Sequence, residues 1–276
     1  MTVNGTVLAM LRCPVCAAAM QADEHGKSCR CIGERTHSYD FARSGYLNLT
    51  RPGDGEGDLK EAVNARKLFL NAGYYEPLSN EINAILQSFK AETVLDAGCG
   101  EGYYTNRMAG NRAVLGVDLS RAGIDSAAKQ AKQSDTGAAF AVGSIFSLPV
   151  KDASCDVVTN IFAPCCESEF SRVLKKSGYL ILVGAGERHL MGLKQVLYQN
   201  PYLNPGRADL PTGMTKIDQR RLHYTVTVVG KETIEALFSM TPYYWRTAEA
   251  DRIKLQNIDT LQTELDFDIF IYQKGD

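Results

Sequence analysis

The order of apolar and polar positions over residues 91–276 predicts strands that alternate with helices. Five short apolar runs, each ended by turn residues, are typical of buried parallel strands. Two later runs alternate apolar and polar residues, as half-exposed strands do. A helix is expected over Glu167 to Lys175. The seven predicted strands are Val94–Leu95, Val114–Asp118, Ala138–Val142, Asp156–Ile161, Tyr179–Val183, His223–Val229 and Leu265–Tyr272. This pattern indicates an α/β fold with a mixed seven-stranded sheet.

A glycine-rich segment follows the first of these runs. Gly98, Gly100 and Gly102 allow a tight turn and a close approach of the backbone to a ligand, because no Cβ intervenes. Asp118 lies twenty residues beyond Gly98, at the end of the next apolar run. That spacing puts a carboxylate where it can accept hydrogen bonds from both hydroxyls of a ribose. Together the two features indicate a nucleotide-type cofactor.

The glycine spacing also distinguishes between cofactors. The dinucleotide fingerprint is G-x-G-x-x-G, whereas this chain has G-x-G-x-G. Together with Asp96, the segment resembles motif I of the class I S-adenosylmethionine-dependent methyltransferases. The resemblance implies a Rossmann-like sheet and a loop that receives the methionine and ribose parts of the cofactor. The alternative is an ordinary strand-turn-helix segment whose glycines serve no ligand.

Further residues near this loop are candidates for cofactor contact. Ser144 follows the third predicted strand, near where the resemblance implies that adenine is held. Tyr103 and Tyr104 would cover the cofactor, with core packing as the alternative. The predicted cofactor-binding residues are Asp96, Gly98, Gly100, Glu101, Gly102, Tyr103, Tyr104, Asp118 and Ser144.

Composition limits the classes of protein that the chain can belong to. With 276 residues and 45% hydrophobic content, it can form one core of about 180 residues and a small appendage. No apolar run approaches the ~20 residues of a membrane span, and the start of the chain lacks a signal-peptide core. We therefore expect a soluble cytoplasmic protein without membrane contact.

Charge argues against a generally basic surface, since the formal net charge is −2. A local concentration of positive charge is present near the start of the chain and contains only two acidic residues, Glu34 and Asp40. It could meet a polyanion, or it could be a solvated loop. Its members are Lys27, Arg30, Arg35, Arg43 and Arg51.

Cysteines are concentrated in the same region. Cys13 and Cys16 form a C-x2-C pair, and Cys29, Cys31 and His37 follow. In a cytoplasmic chain such a cluster indicates a structural zinc site, which would stabilise a segment of about 50 residues that is too small for its own core. A thioredoxin-like dithiol is the alternative, but no strand-helix unit surrounds the pair.

Five candidates compete for four positions around the zinc ion. Five residues separate Cys31 from His37, within the usual spacing of zinc ligands, whereas seven separate Cys29 from His37. The predicted ligands are Cys13, Cys16, Cys31 and His37, with Cys29 as the alternative to Cys31. The predicted domains are a zinc-ribbon-like module at 1–50, a linker and helical segment at 51–90, and a cofactor-binding domain at 91–276.

Beyond motif I, the chain resembles the RlmA family, bacterial enzymes that methylate N1 of a guanine in 23S rRNA. The resemblance implies S-adenosylmethionine and zinc as cofactors, a hairpin of 23S rRNA as substrate, an RNA-recognition role for residues 1–50, and a homodimer. The matching segments are Cys13-Pro-x-Cys16, Gly45-Tyr-Leu-Asn-Leu49, Pro52-Gly-Asp54, Ala65-Arg66, Gly73-x-Tyr75-x-Pro77-Leu78, Ala163-Pro-Cys165, Arg188-His-Leu-Met191, Met240-Thr-Pro242 and Trp245-Arg246.

Candidate catalytic residues follow the fourth and fifth predicted strands, at the carboxyl edge where open α/β sheets bind substrates. Phe162 could stack on the target base, and Asn160 could read its polar edge. Glu167 is a candidate general base, with a helix-start carboxylate as the alternative. His189 could contact the substrate or simply pack. Arg188 is the better candidate for a phosphate or base-edge contact.

A proline-containing segment and the single tryptophan each allow more than one interpretation. The proline-containing segment from Tyr198 to Arg221 is typical of a lid or an RNA-facing loop. Trp245 could stack on RNA, but packing against the sheet edge is favoured. The competing functions are methylation of another RNA, a protein or a small molecule, and RNA binding without catalysis through a vestigial cofactor site.

Overall fold

The computed structural model describes residues 5–207 and 210–275. Within these ranges the helices are α1 (Gly5–Met10), α2 (Lys60–Asn71), α3 (Glu76–Ser88), α4 (Tyr103–Met108), α5 (Arg121–Ser134), α6 (Glu167–Val173), α7 (Met191–Leu197), α8 (Lys231–Ser239) and α9 (Glu249–Gln256). The strands are β1 (Met20–Ala22), β2 (Ser28–Cys31), β3 (Ser38–Asp40), β4 (Leu47–Asn48), β5 (Thr93–Ala97), β6 (Ala113–Asp118), β7 (Ala139–Val142), β8 (Cys155–Ile161), β9 (Leu174–Ala185), β10 (Thr215–Val229) and β11 (Thr260–Gln273).

The main sheet has the order β10-β11-β9-β8-β5-β6-β7-β4 among the described residues. Strands β4 to β9 in this sheet run parallel, and β10 and β11 pair antiparallel at one end. All seven predicted strands are present, so the predicted α/β class with an antiparallel end is confirmed. The chain order reverses between β5 and β8, and ligands of open α/β sheets bind outside the carboxyl ends at such a point.

The sheet has one strand more than predicted. Leu47 and Asn48 pair in parallel with Ala141 and Val142 and so extend the sheet beyond β7. The small antiparallel sheet β1-β2-β3 meets this edge, since Phe41, directly after β3, forms a bridge with Leu47 of β4. The core is shared as well, because buried side chains of α1 and of the cysteine-rich segment pack with Leu95 and those around it. The boundary predicted at residue 50 therefore falls just after residues that already belong to the main sheet.

The helix predicted over Glu167 to Lys175 is two residues too long. It ends at Val173, and Leu174 already pairs with Cys155 in the sheet. Lys175 is the second residue of β9, and its ammonium group donates to the Asp156 carboxylate at 2.7 Å. Pairing with β8 therefore overrides the helical tendency of this short segment.

Helices cover both faces of the sheet and fix the surroundings of its carboxyl edge. One apolar cluster contains side chains of α2, α3, α7 and α8, including Tyr75 and Phe69. The opposite face is covered by α1 and α6. In the described part of the chain, no helix is both long enough and apolar enough to cross a membrane.

Candidate active site and metal centre

The glycine-rich turn after β5 requires glycine for two reasons. Gly98 has φ +83° and Gly102 has φ +78°, a left-handed conformation that glycine adopts at no steric cost. Space is also restricted, since a Cβ at Gly98 would lie 2.4 Å from the Cβ of Ala163, and one at Gly102 would lie 2.6 Å from the Cβ of Ala127. The turn thus packs directly against the loop after β8, at the point where the strand order reverses.

Asp118 ends β6 and faces this turn. Its Oδ2 accepts from the Gly100 N–H at 2.9 Å, and its Oδ1 accepts from the Ser120 N–H at 2.7 Å. Each oxygen keeps further acceptor capacity, because an ionised carboxylate offers about four lone-pair sites. Burial raises the pKa of this carboxyl. The position fits hydrogen bonds to ribose hydroxyls.

Ser144 lies beside Asp118 at the same edge of the sheet. It follows β7, and the N–H of the preceding Gly143 donates to the Asp118 carbonyl at 3.0 Å. The Ser144 hydroxyl accepts from the Phe146 N–H at 3.2 Å. The ends of β5, β6 and β7 therefore place the predicted cofactor-binding residues at one edge of the sheet.

Asp96 has a structural role beside the cofactor contact predicted for it. Its side chain is buried and accepts hydrogen bonds from Thr105 Oγ1 at 2.6 Å and Thr159 Oγ1 at 2.9 Å. Burial raises its pKa to about 6. Because these bonds join β5 to α4 and β8, Asp96 holds the glycine turn in place, and a direct cofactor contact for it is left as a prediction.

Glu101 is buried in the turn and has a cationic neighbour that the sequence did not identify as a site residue. Burial raises the pKa of Glu101 to about 7, although Arg66 favours its charged form. Arg66 Nη1 lies 3.5 Å from Glu101 Oε2, and Nη2 donates to Asp58 at 2.6 Å. Asp58 is fixed in turn, because its carbonyl accepts from Ser120 Oγ at 2.7 Å. The only sequence signal for Arg66 was its match within Ala65-Arg66.

Tyr103 and Tyr104 are both buried at the start of α4, and their hydroxyls have no hydrogen-bond partner within residues 5–207 and 210–275. A buried polar group without a partner costs about 1–3 kcal/mol. Burial raises the pKa of Tyr104 well above its usual range, so the hydroxyl keeps its proton to donate. A bound molecule with a polar group here would relieve that cost, which supports a cofactor at this turn.

On the substrate side, Phe162 follows β8 in a conformation that is uncommon for a non-glycine residue. Its φ is +55°, and its ring is 45% exposed. The ring centroid lies 6.3 Å from that of Tyr75 and 5.8 Å from that of His189. Strained backbone that presents a large aromatic ring to solvent is frequent at functional sites. The ring is available to a flat ligand.

Asn160 is buried, and its side chain is fully engaged by the protein. Its Nδ2 donates to the carbonyls of Ala97 and Pro164 at 2.9 and 3.1 Å. Its Oδ1 accepts from Arg207 Nη2 at 2.8 Å. Arg207 also donates to the carbonyls of Ala163 and Val183. Asn160 therefore braces the loop that carries Phe162, and its side chain is not presented to a base edge.

Glu167 is likewise engaged. Its two carboxylate oxygens accept from the backbone N–H groups of Thr212 and Gly213 at 3.1 and 2.5 Å. The carboxylate thus ties the segment that precedes β10 to the start of α6. With both oxygens held by amides, this geometry supports an anchoring role and gives no support to a general base.

His189 is buried, with both ring nitrogens in hydrogen bonds. Nδ1 accepts from the Asp266 N–H at 3.2 Å, so in the neutral ring Nε2 carries the proton and donates to the Tyr75 hydroxyl oxygen at 3.0 Å. Burial lowers the pKa of His189 to about 4, which keeps the ring neutral. Arg188, its neighbour, is 47% exposed and donates to Glu264 at 2.8 Å. His189 has no free lone pair to accept a proton.

The cysteine-rich module brings four ligand atoms together. The Sγ atoms of Cys13, Cys16 and Cys31 and a ring nitrogen of His37 all lie within 4.8 Å of one another. Cys29 is not a member of this set; it is fully buried, and burial raises the pKa of its thiol to about 11. Three sulfurs and one imidazole are a donor set of structural zinc sites. The geometry favours Cys31 over Cys29.

Hydrogen bonds within the cluster favour the charged form of a cysteine that would bind a cation. Burial acts to raise the pKa of Cys31, but the N–H groups of His37 and Gly33 lower it to about 6. The thiolate, the form that binds metal, is thereby favoured. The Tyr39 hydroxyl lies 3.2 Å from Cys13 Sγ and can donate to it. Around the cluster, Lys27, Arg30, Arg35, Arg43 and Arg51 are all exposed.

Comparison with known protein families supports both the cofactor-binding domain and the zinc module. Residues 88–227 match the family model described as a methyltransferase domain, and residues 11–50 match the one described as the N-terminal zinc ribbon of RlmA. Three curated relatives are similar over much of their length. YxjB of Bacillus subtilis, provisionally named a 23S rRNA (guanine-N1)-methyltransferase, is 34% identical over 96% of this chain and 97% of its own.

The 23S rRNA (guanine(748)-N(1))-methyltransferase of Streptomyces fradiae is 30% identical over 69% of each chain. A Micromonospora griseorubida protein, also provisionally named a 23S rRNA (guanine-N1)-methyltransferase, is 30% identical over 88% of this chain and 90% of its own. The resemblance predicted from the short motifs is confirmed. The chain belongs to the RlmA family of 23S rRNA (guanine-N1)-methyltransferases.

Proposed function

We propose that the protein transfers a methyl group from S-adenosylmethionine to N1 of a guanine in a hairpin of 23S rRNA. The observation that carries this proposal is the proximity of two parts of the site. The glycine turn at Gly98 packs on Ala163, so a cofactor in that turn lies beside the loop that presents the Phe162 ring. The named relatives support rRNA and guanine N1 as the acceptor.

The cofactor would be held by the ends of three strands. Asp118 would accept from the ribose hydroxyls, Ser144 would border the adenine, and the hydroxyl of Tyr104 would donate to a polar group of the methionine part. When bound, S-adenosylmethionine supplies an electrophilic methyl group on a sulfonium. The fit rests on the glycine turn, on the remaining acceptor capacity of Asp118 and on the unpartnered tyrosine hydroxyls.

The target guanine must leave its base pair, because N1 lies on the Watson-Crick edge. We assign Phe162 as the ring on which the extruded base stacks. Base-edge recognition would then come from backbone carbonyls of residues 160–164, since the Asn160 side chain braces the loop together with Arg207. Positioning of base and donor can supply ~7 kcal/mol or more of the barrier reduction.

The N1 proton has no obvious protein acceptor among the described residues. Glu167 is held by two backbone amides, and His189 is neutral with both nitrogens engaged. We propose that water takes the proton and that these two residues keep the substrate loops in position. The predicted catalytic roles of Asn160, Glu167 and His189 are thus reassigned to positioning.

The zinc module would recognise the RNA hairpin. We propose Cys13, Cys16, Cys31 and His37 as the zinc ligands, with the exposed basic residues between Lys27 and Arg51 contacting phosphates. In this proposal the predicted domains have separate roles, RNA recognition by residues 1–50 and methyl transfer by residues 91–276, although Leu47 and Asn48 extend the main sheet. A homodimer and a cytoplasmic location, as expected of an enzyme acting on ribosomal RNA, are part of the same proposal.

The test uses the zinc-loaded protein, methyl-labelled S-adenosylmethionine and unmodified 23S rRNA. We expect label in the RNA and a new reverse-transcriptase stop at one guanine, because methylation of N1 blocks base pairing. Asp118→Ala should lose the label, and Asp268→Ala, at a partly exposed carboxylate on β11, serves as a control that should retain it. Label in protein alone, or a stop away from guanine, would reject the proposal.

A further inference from the structure

We propose that an aromatic row formed by Tyr202, Tyr243, Tyr244 and Trp245 binds an unpaired nucleotide of the RNA substrate beside the target guanine. This inference rests on the proposed function and adds a second contact between the main domain and RNA. It also reverses a sequence-based expectation, since Trp245 was expected to pack against the sheet edge.

Trp245 is the most exposed large hydrophobic side chain in the described part of the protein, at 79%. An indole of this kind can bury about 150–250 Å² in a contact. Tyr202 is 49% exposed, although its ring stacks on that of Tyr198, with centroids 5.9 Å apart. The exposed indole of Trp245 therefore provides most of the flat apolar surface that a stacked base would cover.

The connection between α8 and α9, which carries Trp245, is anchored by Arg252. The Arg252 guanidinium donates to the carbonyls of Tyr244 and Thr247 and lies 4.6 Å from the Tyr244 ring centroid. Tyr244 contacts Trp245 edge-on, with ring centroids 5.1 Å apart. These contacts fix the backbone on both sides of Trp245, which lowers the entropy lost when a base stacks on its ring.

The row is also joined to the proposed substrate site. The Tyr243 hydroxyl donates to Asn204 Oδ1 at 2.7 Å. Asn204 Nδ2 donates in turn to the carbonyls of Gly186 and His189, in the loop after β9. Two hydrogen-bonded steps thus connect the base of the aromatic row to the loop beside Phe162.

An exposed cation accompanies the rings, since Arg246 directly follows Trp245. Lys194 is fully buried, and its ammonium group donates to the Tyr202 carbonyl and to Asn204 Oδ1. It lies 4.3 and 5.2 Å from the ring centroids of Tyr202 and Tyr243 and therefore supports these rings from inside the protein. Glu235 and Glu249 line the groove next to Tyr244, so charge there is nearly balanced and stacking must supply most of the affinity. Aromatic rings with flanking cations are the usual surface for single-stranded nucleic acid.

The chain has one tryptophan, so tryptophan emission, excited at a wavelength that its 13 tyrosines do not absorb, reports on this position alone. Titration with an unmodified 23S rRNA transcript should quench the emission of Trp245 and saturate together with RNA binding, whereas S-adenosylmethionine alone should leave it nearly unchanged. Emission that changes on concentrating the protein without RNA would instead assign the row to an interface between copies and overturn the proposal.

Methylation kinetics provide the second readout. Trp245→Ala should raise KM for the transcript about tenfold, since a base stack is worth ~1–3 kcal/mol, with kcat and cofactor affinity unchanged. Trp245→Phe should restore most of the affinity, and Ile217→Ala, at a half-exposed residue near the start of β10, should have no effect. If Trp245→Ala still methylates RNA and its KM for the transcript is unchanged, the proposed RNA contact of the aromatic row is refuted. Absence of methylation by the wild type would refute the proposed function instead.

Discussion

Replacement of Glu101 by glutamine should remove a pH dependence of stability that originates in the cofactor turn. The Glu101 carboxyl is 3% exposed, and burial raises its pKa from 4.5 to about 7 against the opposing effect of Arg66. Glutamine has nearly the same shape but exchanges no proton. The substitution therefore keeps the packing of the turn and removes its titration.

The direction of this pH dependence of stability follows from proton linkage. The folded-state pKa of Glu101 lies above the unfolded one, so the folded protein binds more protons between the two values. Its contribution to stability is fully present below pH 4.5 and is lost as the pH rises through about 7. A shift of about 2.5 pKa units corresponds to roughly 3 kcal/mol. Across that window, the unfolding free energy of the wild type should fall by this amount more than that of Glu101→Gln.

Urea unfolding followed by far-ultraviolet circular dichroism, at pH values from 4 to 8, measures the effect. Glu92→Gln changes an exposed carboxyl at the start of β5 and is the matched control. We expect the control to parallel the wild type, while the curves of Glu101→Gln and wild type diverge as the pH rises. Parallel curves for all three proteins, or a difference that grows toward low pH, would refute the argument that burial dominates over Arg66.

The other predictions concern single steps of the proposal. Asp118→Ala should weaken cofactor binding by roughly 100-fold or more in calorimetry, because each of two hydrogen bonds to a charged group is worth ~1.5–3 kcal/mol; binding within twofold of wild type would contradict its assignment to the ribose. Cys31→Ser should lose zinc, measured by metal analysis of the purified protein, whereas Cys29→Ser should retain one zinc ion per chain, and the opposite result would exchange their roles. Glu167→Gln should raise KM for RNA several-fold by loosening the Thr212–Gly213 anchor; a loss of the pH dependence of kcat would instead make Glu167 the base.

Much of the fold and of the cofactor edge was predictable from the sequence. Strand positions follow from short-range apolar periodicity, and the turn at Gly98 to Gly102 is specified by adjacent residues whose backbone requires glycine. Asp118 was found because its spacing from the turn reflects one strand-helix-strand unit. The edge strand β4 was missed, since two residues are too few to form a recognisable pattern. Arg66 was missed as a site residue for a similar reason, because it lies on a separate helix.

The sequence by itself determined the class of sheet, the type of cofactor and the candidate ligands of the metal, because each depends on residues that are close in the chain. Only the tertiary structure decided which polar groups remain available. Asn160 is hydrogen-bonded to Arg207, 47 residues away in the chain, and Glu167 to Gly213, 46 residues away. His189 is hydrogen-bonded to Tyr75, 114 residues away. Hydrogen-bond partners at such separations leave no local pattern, so only the tertiary structure shows that these three side chains are engaged and that Phe162 and Trp245 are exposed. These contacts support the proposal that the three side chains position the loops.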